Sequence, residues 1–259
     1  IAIRNLAHNK IYSFINVAGL TIGLTCAMLI ILYVKDEASF DRFHQKSSNI
    51  YRVVSKSVIK GVHHQNSNTG LLQGPKFAQN VSGIKSFVRL RSGHADFKKG
   101  ADVESGDLLF VDPDFFSVFS FSLLYGDAKT CLKDPHAVVL TRAEAIKQFG
   151  TEAAVGKMRK EKDSFVPYQV TAVTEDCPQN STIQYRILIP FRETEADLKN
   201  NENWFVFFLN TFVVLDEHAD PAMVSQQMQR FFEKDAGETF KAMNARFGNE
   251  PRDIETYFL

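Results

Sequence analysis

Between Ile11 and Val34 the chain carries no charged side chain, and no comparable run recurs in its 259 residues. A helix rises about 1.5 Å per residue, so about 20 apolar residues cross the hydrocarbon core of a bilayer. Phe14 to Val34 (FINVAGLTIGLTCAMLIILYV) meets that length. The sequence therefore predicts one membrane anchor over 14–34, a polar or interfacial lead-in over 1–13, and a large extramembrane body over 35–259. A cleaved signal peptide is the rival reading, but its apolar core spans about 7–15 residues and ends at a small-residue cleavage site. Here Lys35-Asp36-Glu37 stand where that site would fall, which favours a retained anchor.

Arg4 and Lys10 precede the run and Lys35 follows it. Cationic residues tend to stay on the cytoplasmic side, so the expected orientation is N-terminus inside and body outside. Arg4 and Lys10 are then the membrane-boundary residues. Gly19, Gly23 and Ala27 recur every four residues and share one helix face. Small residues there allow another membrane helix to approach closely; they are also simply common in membrane helices, and both readings stand. Residue 1 is Ile, and Tyr257-Phe258-Leu259 follow a turn-like Gly248-Asn249-Glu250-Pro251. Both ends are expected to be cuts from something longer.

The formal net charge is zero. With no basic stripe to neutralise phosphates, nucleic acid is not an expected partner. The 23 phenylalanines point to a well-filled core or to grooves for apolar partners. Cys131 and Cys177 could pair in an oxidising compartment, but two free thiols are the expected state, and Cys26 lies in the apolar run.

Local signals divide the body. Ile50 to Val54 and Phe87 to Arg91 read as strands, Ile59 to Gly70 as a loop, and Leu71 to Val81 as a short helix. Asp112-Pro113 reads as a cap and first turn, with Phe115, Phe116 and Phe119 on one face. Thr141 and Glu144 form a capping box for a helix that Gly150 should terminate. Val138–Leu140, Tyr168–Val173 and Ile183–Ile189 read as strands, and Phe205–Leu215 is a longer apolar run. Asp220-Pro221 opens an amphipathic helix through Met223, Val224, Met228, Phe231 and Phe232. Without a regular βαβ rhythm, the expected class is α+β with mainly antiparallel sheets.

Chemical motifs are sparse. Gly150 and Gly156-Lys157 look like a phosphate loop, but five residues separate the glycines and Met158 stands where Ser or Thr is required. His63 and His64 are adjacent, so they point apart and suit a solvated loop better than a metal. Asp112 and Asp114 suit capping better than paired catalytic carboxylates. Trp204 is expected to pack. No catalytic, cofactor-binding or metal-ligating residue is assigned, and no cofactor is expected on this chain.

Taken in order, these stretches resemble one family. Arg4-Asn5-Leu6 to Asn9-Lys10 and Ile15-Asn16-Val17-Ala18-Gly19-Leu20-Thr21-Ile22-Gly23 are similar to the first membrane helix of MacB/FtsX-type ABC transporter permeases. Val34 to Glu37, Ser39-Phe40-Asp41-Arg42-Phe43-His44 and Ile50-Tyr51-Arg52-Val53 fit the same pattern, as found in Bacteroidetes-like bacteria. So do Asp112 to Phe116, Phe119-Ser120-Phe121, Gly126-Asp127, Val138 to Thr141, Phe149-Gly150, Val155-Gly156-Lys157 and Asp176-Cys177-Pro178-Gln179-Asn180-Ser181. The resemblance implies a two-lobed MacB-like periplasmic core domain after the first membrane helix. A porter-like lobe would span roughly 49–125 plus 205–259, with an inserted lobe over roughly 126–203. It implies a permease dimer, homo- or heteromeric, in the bacterial inner membrane and in contact with lipid. A separate cytoplasmic ABC ATPase subunit would supply the motion, and a periplasmic adaptor or envelope protein is a further expected partner. The work would be export or an envelope process, without catalysis on this chain, and the cargo is not legible. The later membrane helices of the family are missing, so the chain is expected to be a fragment. The competing layouts are the extracytoplasmic sensor domain of a signalling receptor and a membrane-tethered enzyme.

Overall fold

The computed structural model describes residues 10–59, 61–99, 102–161, 167–193, 204–246 and 252–259. It divides into two units: Ile1–Phe43 with Pro178–Thr182, and His44–Cys177 with Ile183–Leu259.

In the first unit, helix α1 runs from Lys10 to Glu37 and has no buried residue. At about 1.5 Å per residue its length is about 42 Å, more than the roughly 30 Å hydrocarbon thickness. It outruns the apolar stretch at both ends because Lys10, Lys35 and Glu37 are good helix formers. The threonine hydroxyls inside the apolar run find partners within the helix. Thr21 Oγ1 donates to Val17 O at 2.7 Å and Thr25 Oγ1 to Thr21 O at 2.8 Å.

The second unit is α+β. A single 3₁₀ turn (Ser47–Asn49) leads to β1 (Ile50–Arg52), β2 (Val54–Ile59) and β3 (Val62–Asn66), then α2 (Gln73–Asn80). The long strands β4 (Ile84–Lys99) and β5 (Asp102–Val111) follow, then α3 (Phe115–Val118) and β6 (Leu123–Tyr125). Next come β7 (Ala137–Thr141), α4 (Arg142–Phe149), β8 (Met158–Glu161) and β9 (Tyr168–Thr174). The chain continues through β10 (Ile187–Pro190), β11 (Asn210–Leu215), α5 (Pro221–Arg246) and β12 (Arg252–Phe258).

The larger sheet is ordered β1-β11-β4-β5-β10-β7-β9-β6, and β8 pairs with both β4 and β9. β8 therefore closes β4, β5, β10, β7, β9 and itself into a ring of pairings. The smaller sheet is β12-β2-β3. Among the described strands, β5–β10 and β7–β9 pair in parallel and the other pairs are antiparallel. The β7–α4–β9 crossover is a βαβ connection that the sequence reading did not anticipate.

Among the described residues two larger apolar cores form, and Leu71, Phe191 and Leu209 make a smaller third cluster. One gathers Val53, Phe77, Trp204, Val213, Met228, Phe232 and Tyr257. The other gathers Leu108, Val138, Leu140, Ala145, Val170, Ile187 and Ile189. In the first, the rings of Trp204 and Tyr257 lie 5.4 and 5.5 Å from Phe77, close enough for edge-on aromatic contact. Gln73 is fully buried there. Its Nε2 donates to Trp204 O (3.0 Å) and to Tyr257 Oη (3.1 Å), while its Oε1 accepts from Gly70 N–H (2.8 Å). Trp204 is thus a packing residue, and its Nε1 donates to Asp235 Oδ2 at 2.9 Å. Burial alone would raise the Asp235 carboxyl, but its bonds to Lys76 and Trp204 outweigh that and hold it below the usual range.

Three local expectations change. Ile59–Gly70 is not all loop, since β3 pairs with β2 from Ser55↔Asn66 to Ile59↔Val62. Both faces of β3 are largely exposed, so it shows no alternation. Only the last three residues of the predicted Ile183–Ile189 strand enter the sheet, with Pro190. Asp112 does not cap α3 with its side chain. Its carboxylate clamps the buried Arg89, accepting from Nη2 onto Oδ1 (2.9 Å) and from Nε onto Oδ2 (3.0 Å), with Arg89 N–H also donating to Oδ2 (2.7 Å). Arg89 Nη1 donates to Glu193. Burial would lower the Arg89 pKa, but the two carboxylates raise it, so the guanidinium stays charged.

Removing one partner of a buried pair strands the other charge, at a cost of about 3–5 kcal/mol. We expect Asp112→Ala to destabilise the body by about 3 kcal/mol in urea unfolding followed by tryptophan fluorescence. A loss below about 1 kcal/mol would show that Glu193 alone satisfies Arg89.

Candidate functional site

The face of α1 carrying Gly19, Gly23 and Ala27 is exposed, and a Cβ placed on either glycine meets nothing within 4 Å. This stripe is open to another helix, although no described residue of this chain packs on it. Lys10 is the first described residue of α1 and is exposed, while Arg4 lies outside the described residues.

Where the chain enters the second unit it is fastened at once. His44 is buried. Ser120 N–H donates to its Nδ1 at 3.0 Å, which places the ring proton on Nε2. Phe119 and Phe121 meet the imidazole edge-on at 5.2 Å. Gln45 N–H donates to Ser120 Oγ (3.0 Å) and Lys46 Nζ to Ser117 O (2.7 Å). Two stretches that the sequence presented as separate motifs, the one ending at His44 and Phe119-Ser120-Phe121, are therefore the two halves of one latch. Nothing in their spacing shows this, because 75 residues separate Gln45 from Ser120.

The phosphate-loop resemblance has no counterpart in space. Such a loop needs free amides to cradle phosphate. Here Gly150 N–H donates to Ile146 O, Gly156 N–H to Val170 O and Lys157 N–H to Ala154 O. Gly150 (φ 72°) is the left-handed cap that ends α4, opposite the Thr141 cap whose side chain accepts from Glu144 N–H. Lys157 Nζ sits 5.1 Å from the Phe149 ring centroid instead of reaching for an anion. His63 and His64 are exposed on β3, and no group of His, Cys, Asp and Glu suited to a metal occurs among the described residues. A hollow of about 300 Å³ lies against α4, lined by Thr141, Glu144, Lys147, Asp176, Tyr185 and Arg186 among others.

Cys26, Cys131 and Cys177 are all free. Burial pushes the Cys131 thiol up to about 11 and raises that of Cys177 as well. Both keep their protons at neutral pH and are poor nucleophiles.

The model of the MacB-like periplasmic core domain matches residues 13–231. The chain therefore belongs to that family, and the match begins within α1. A crystal structure of a domain of a protein described as a permease, from Porphyromonas gingivalis, shares the fold with a TM-score of 0.69 at 18% identity. That similarity covers 83% of this chain and 90% of the other. The periplasmic region of MacB from Actinobacillus actinomycetemcomitans superposes with a TM-score of 0.51 at 14% identity, over 73% of this chain and 85% of that one. The extracellular domain of the noncanonic ABC-type transporter YknZ, from Gram-positive bacteria, gives 0.51 at 13%, over 72% and 95%. No curated protein matches the chain. The apolar helix and the family together fit a membrane protein with a periplasmic domain.

Two outcomes follow from the site. Titration calorimetry of this chain should show no ATP binding that depends on Lys157, and an affinity abolished by Lys157→Ala would revive the phosphate loop. At pH 8, iodoacetamide should modify Cys131 only after denaturant is added, as read by mass spectrometry of its peptide. Reactivity should rise as pH climbs toward 11, where the buried thiol ionises. Fast modification of the native chain at pH 8 would contradict the burial described.

Proposed function

We propose that this chain is the N-terminal part of a permease subunit of an ABC transporter of the MacB/FtsX/LolC type. In this reading α1 crosses the bacterial inner membrane with its N-terminus in the cytoplasm, and the body stands in the periplasm. ATP is hydrolysed on a separate cytoplasmic subunit, and the permease pairs with a second permease chain. The periplasmic body transmits the resulting motion to an envelope partner or adaptor in export or another envelope process. The chain itself carries no cofactor and catalyses nothing.

The observation that carries the reading is the joining of two parts in one family match. An uncovered helix of membrane-crossing length is continuous with a MacB-like core domain. The membrane-side, porter-like lobe is assigned to 49–125 with 205–259 and the inserted lobe to 126–203. The two apolar cores support this division. One draws on Val53, Phe77, Val213, Met228, Phe232 and Tyr257 from the first set, with Trp204 at the junction between the two ranges, and the other mostly on Val138 to Ile189. Leu108 joins the second core from across the assigned boundary.

Replacing Gly19 and Gly23 with Leu in the full-length permease should weaken helix packing and uncouple ATPase activity from movement of the periplasmic body. The check is ATPase stimulation in nanodiscs alongside cross-linking between permease chains. Unchanged assembly and coupling would remove the glycines from the helix contact. Impermeant thiol labelling of a cysteine at position 129 in intact cells tests the topology. Protection of that site from the periplasmic side would refute it.

A further inference from the structure

The segment leaving α1 is bracketed by a strap from far along the chain. Ala38 N–H donates to Val34 O at 2.9 Å, and Ser39 Oγ donates to Asp36 O at 2.6 Å, which extends the helix end. Asn180 then grips the next residues. Its Nδ2 donates to Ser39 O (3.1 Å) and to Ser39 Oγ (3.0 Å), and its carbonyl accepts from Asp41 N–H (2.9 Å). Thr182 N–H donates to Asp41 Oδ1 at 2.8 Å. Asp41 has φ 56°, the one positive φ at a non-glycine among the described residues. That conformation is unfavourable for a side-chain-bearing residue and persists where its surroundings fix it. Here the strap holds both the N–H and the carboxylate of Asp41.

The strap, Pro178–Thr182, groups with α1 rather than with the unit into which its sequence is spliced. The chain therefore passes between the two units at 43/44, at 177/178 and at 182/183. A single connection can swivel about its backbone dihedrals. Tying the helix end to a second stretch of chain, between β9 and β10, limits that swivel.

We propose that Asn180 is a coupling residue. Its bracket on Ser39 and Asp41 makes the Pro178–Thr182 strap a second mechanical connection through which displacement of α1 reaches the β9–β10 arm of the body. This rests on the reading that α1 moves during the transport cycle. Asn180→Asp keeps the size and the backbone carbonyl but removes the amide donor to Ser39. Asn180→Ala removes the side chain altogether.

The test places spin labels at positions 35 and 129 of the full 259-residue chain in nanodiscs, on a background lacking the native cysteines, and measures the distance distribution. Both Asn180 variants should broaden it about twofold, with an unchanged melting temperature for the body. Asn80→Ala should not, because that amide donates only to Lys76 O within α2. A wild-type width in Asn180→Asp overturns the proposal, even if Asn180→Ala misfolds. The same labels in the full-length permease with its ATPase separate the two claims. A wild-type distance that ignores ATP sinks the transport reading while leaving the bracket intact. An ATP-driven shift that survives unchanged in Asn180→Asp overturns the coupling role.

Discussion

The apolar surface of α1 has nothing of the described chain to lie against. Val17, Leu20, Leu24, Leu29, Ile31 and Leu32 are each more than half exposed, and none of the helix is buried. At roughly 25 cal/mol per Å² such a surface is costly in water. It is at rest in hydrocarbon, where the helix satisfies its own backbone and the threonine hydroxyls return to carbonyls one turn back. The latch at His44 to Lys46 fastens the incoming chain within a few residues of the point where it enters the second unit.

The body is held differently. Its larger sheet is a ring of pairings closed by β8, and a buried guanidinium sits between strand ends. Arg89 on β4 bonds Asp112 just beyond β5 and Glu193 just beyond β10. The pair fixes neighbouring strands to one another through charge-assisted bonds, which are directional where apolar packing is not. Phe191 and Phe87 flank the guanidinium at 4.9 and 5.5 Å. Neighbouring strands are thus tied by side chains as well as by ladders.

Much of this was legible locally. The long apolar helix is a length argument, and α4 announces itself through Thr141, Glu144 and Gly150. α5 follows from Asp220, whose carboxylate accepts from Ala222 N–H at 2.9 Å. β3 was not legible, because an edge strand exposed on both faces has no reason to alternate. β5 was missed for a related reason, since only Leu108 to Val111 of its ten residues form an apolar run. The parallel β7–β9 pairing was hidden because β8 and the stretch before β9 interrupt the usual strand–helix–strand rhythm. Asp112 followed by Pro113 offered a capping signal that the Arg89 guanidinium, 23 residues away, overrode.

By itself the sequence determined the membrane-length helix, the α+β class, the caps and the poverty of chemical motifs. These depend on residues within a turn or two of one another. Tertiary structure alone decided that His44 meets Ser120, that Arg89 meets Asp112 and that Asn180 reaches back to Ser39 and Asp41. Each contact joins groups 23 to 141 residues apart. Short-range spacing carries no record of which distant polar group will satisfy which, because that choice is made when the sheet closes and desolvates both.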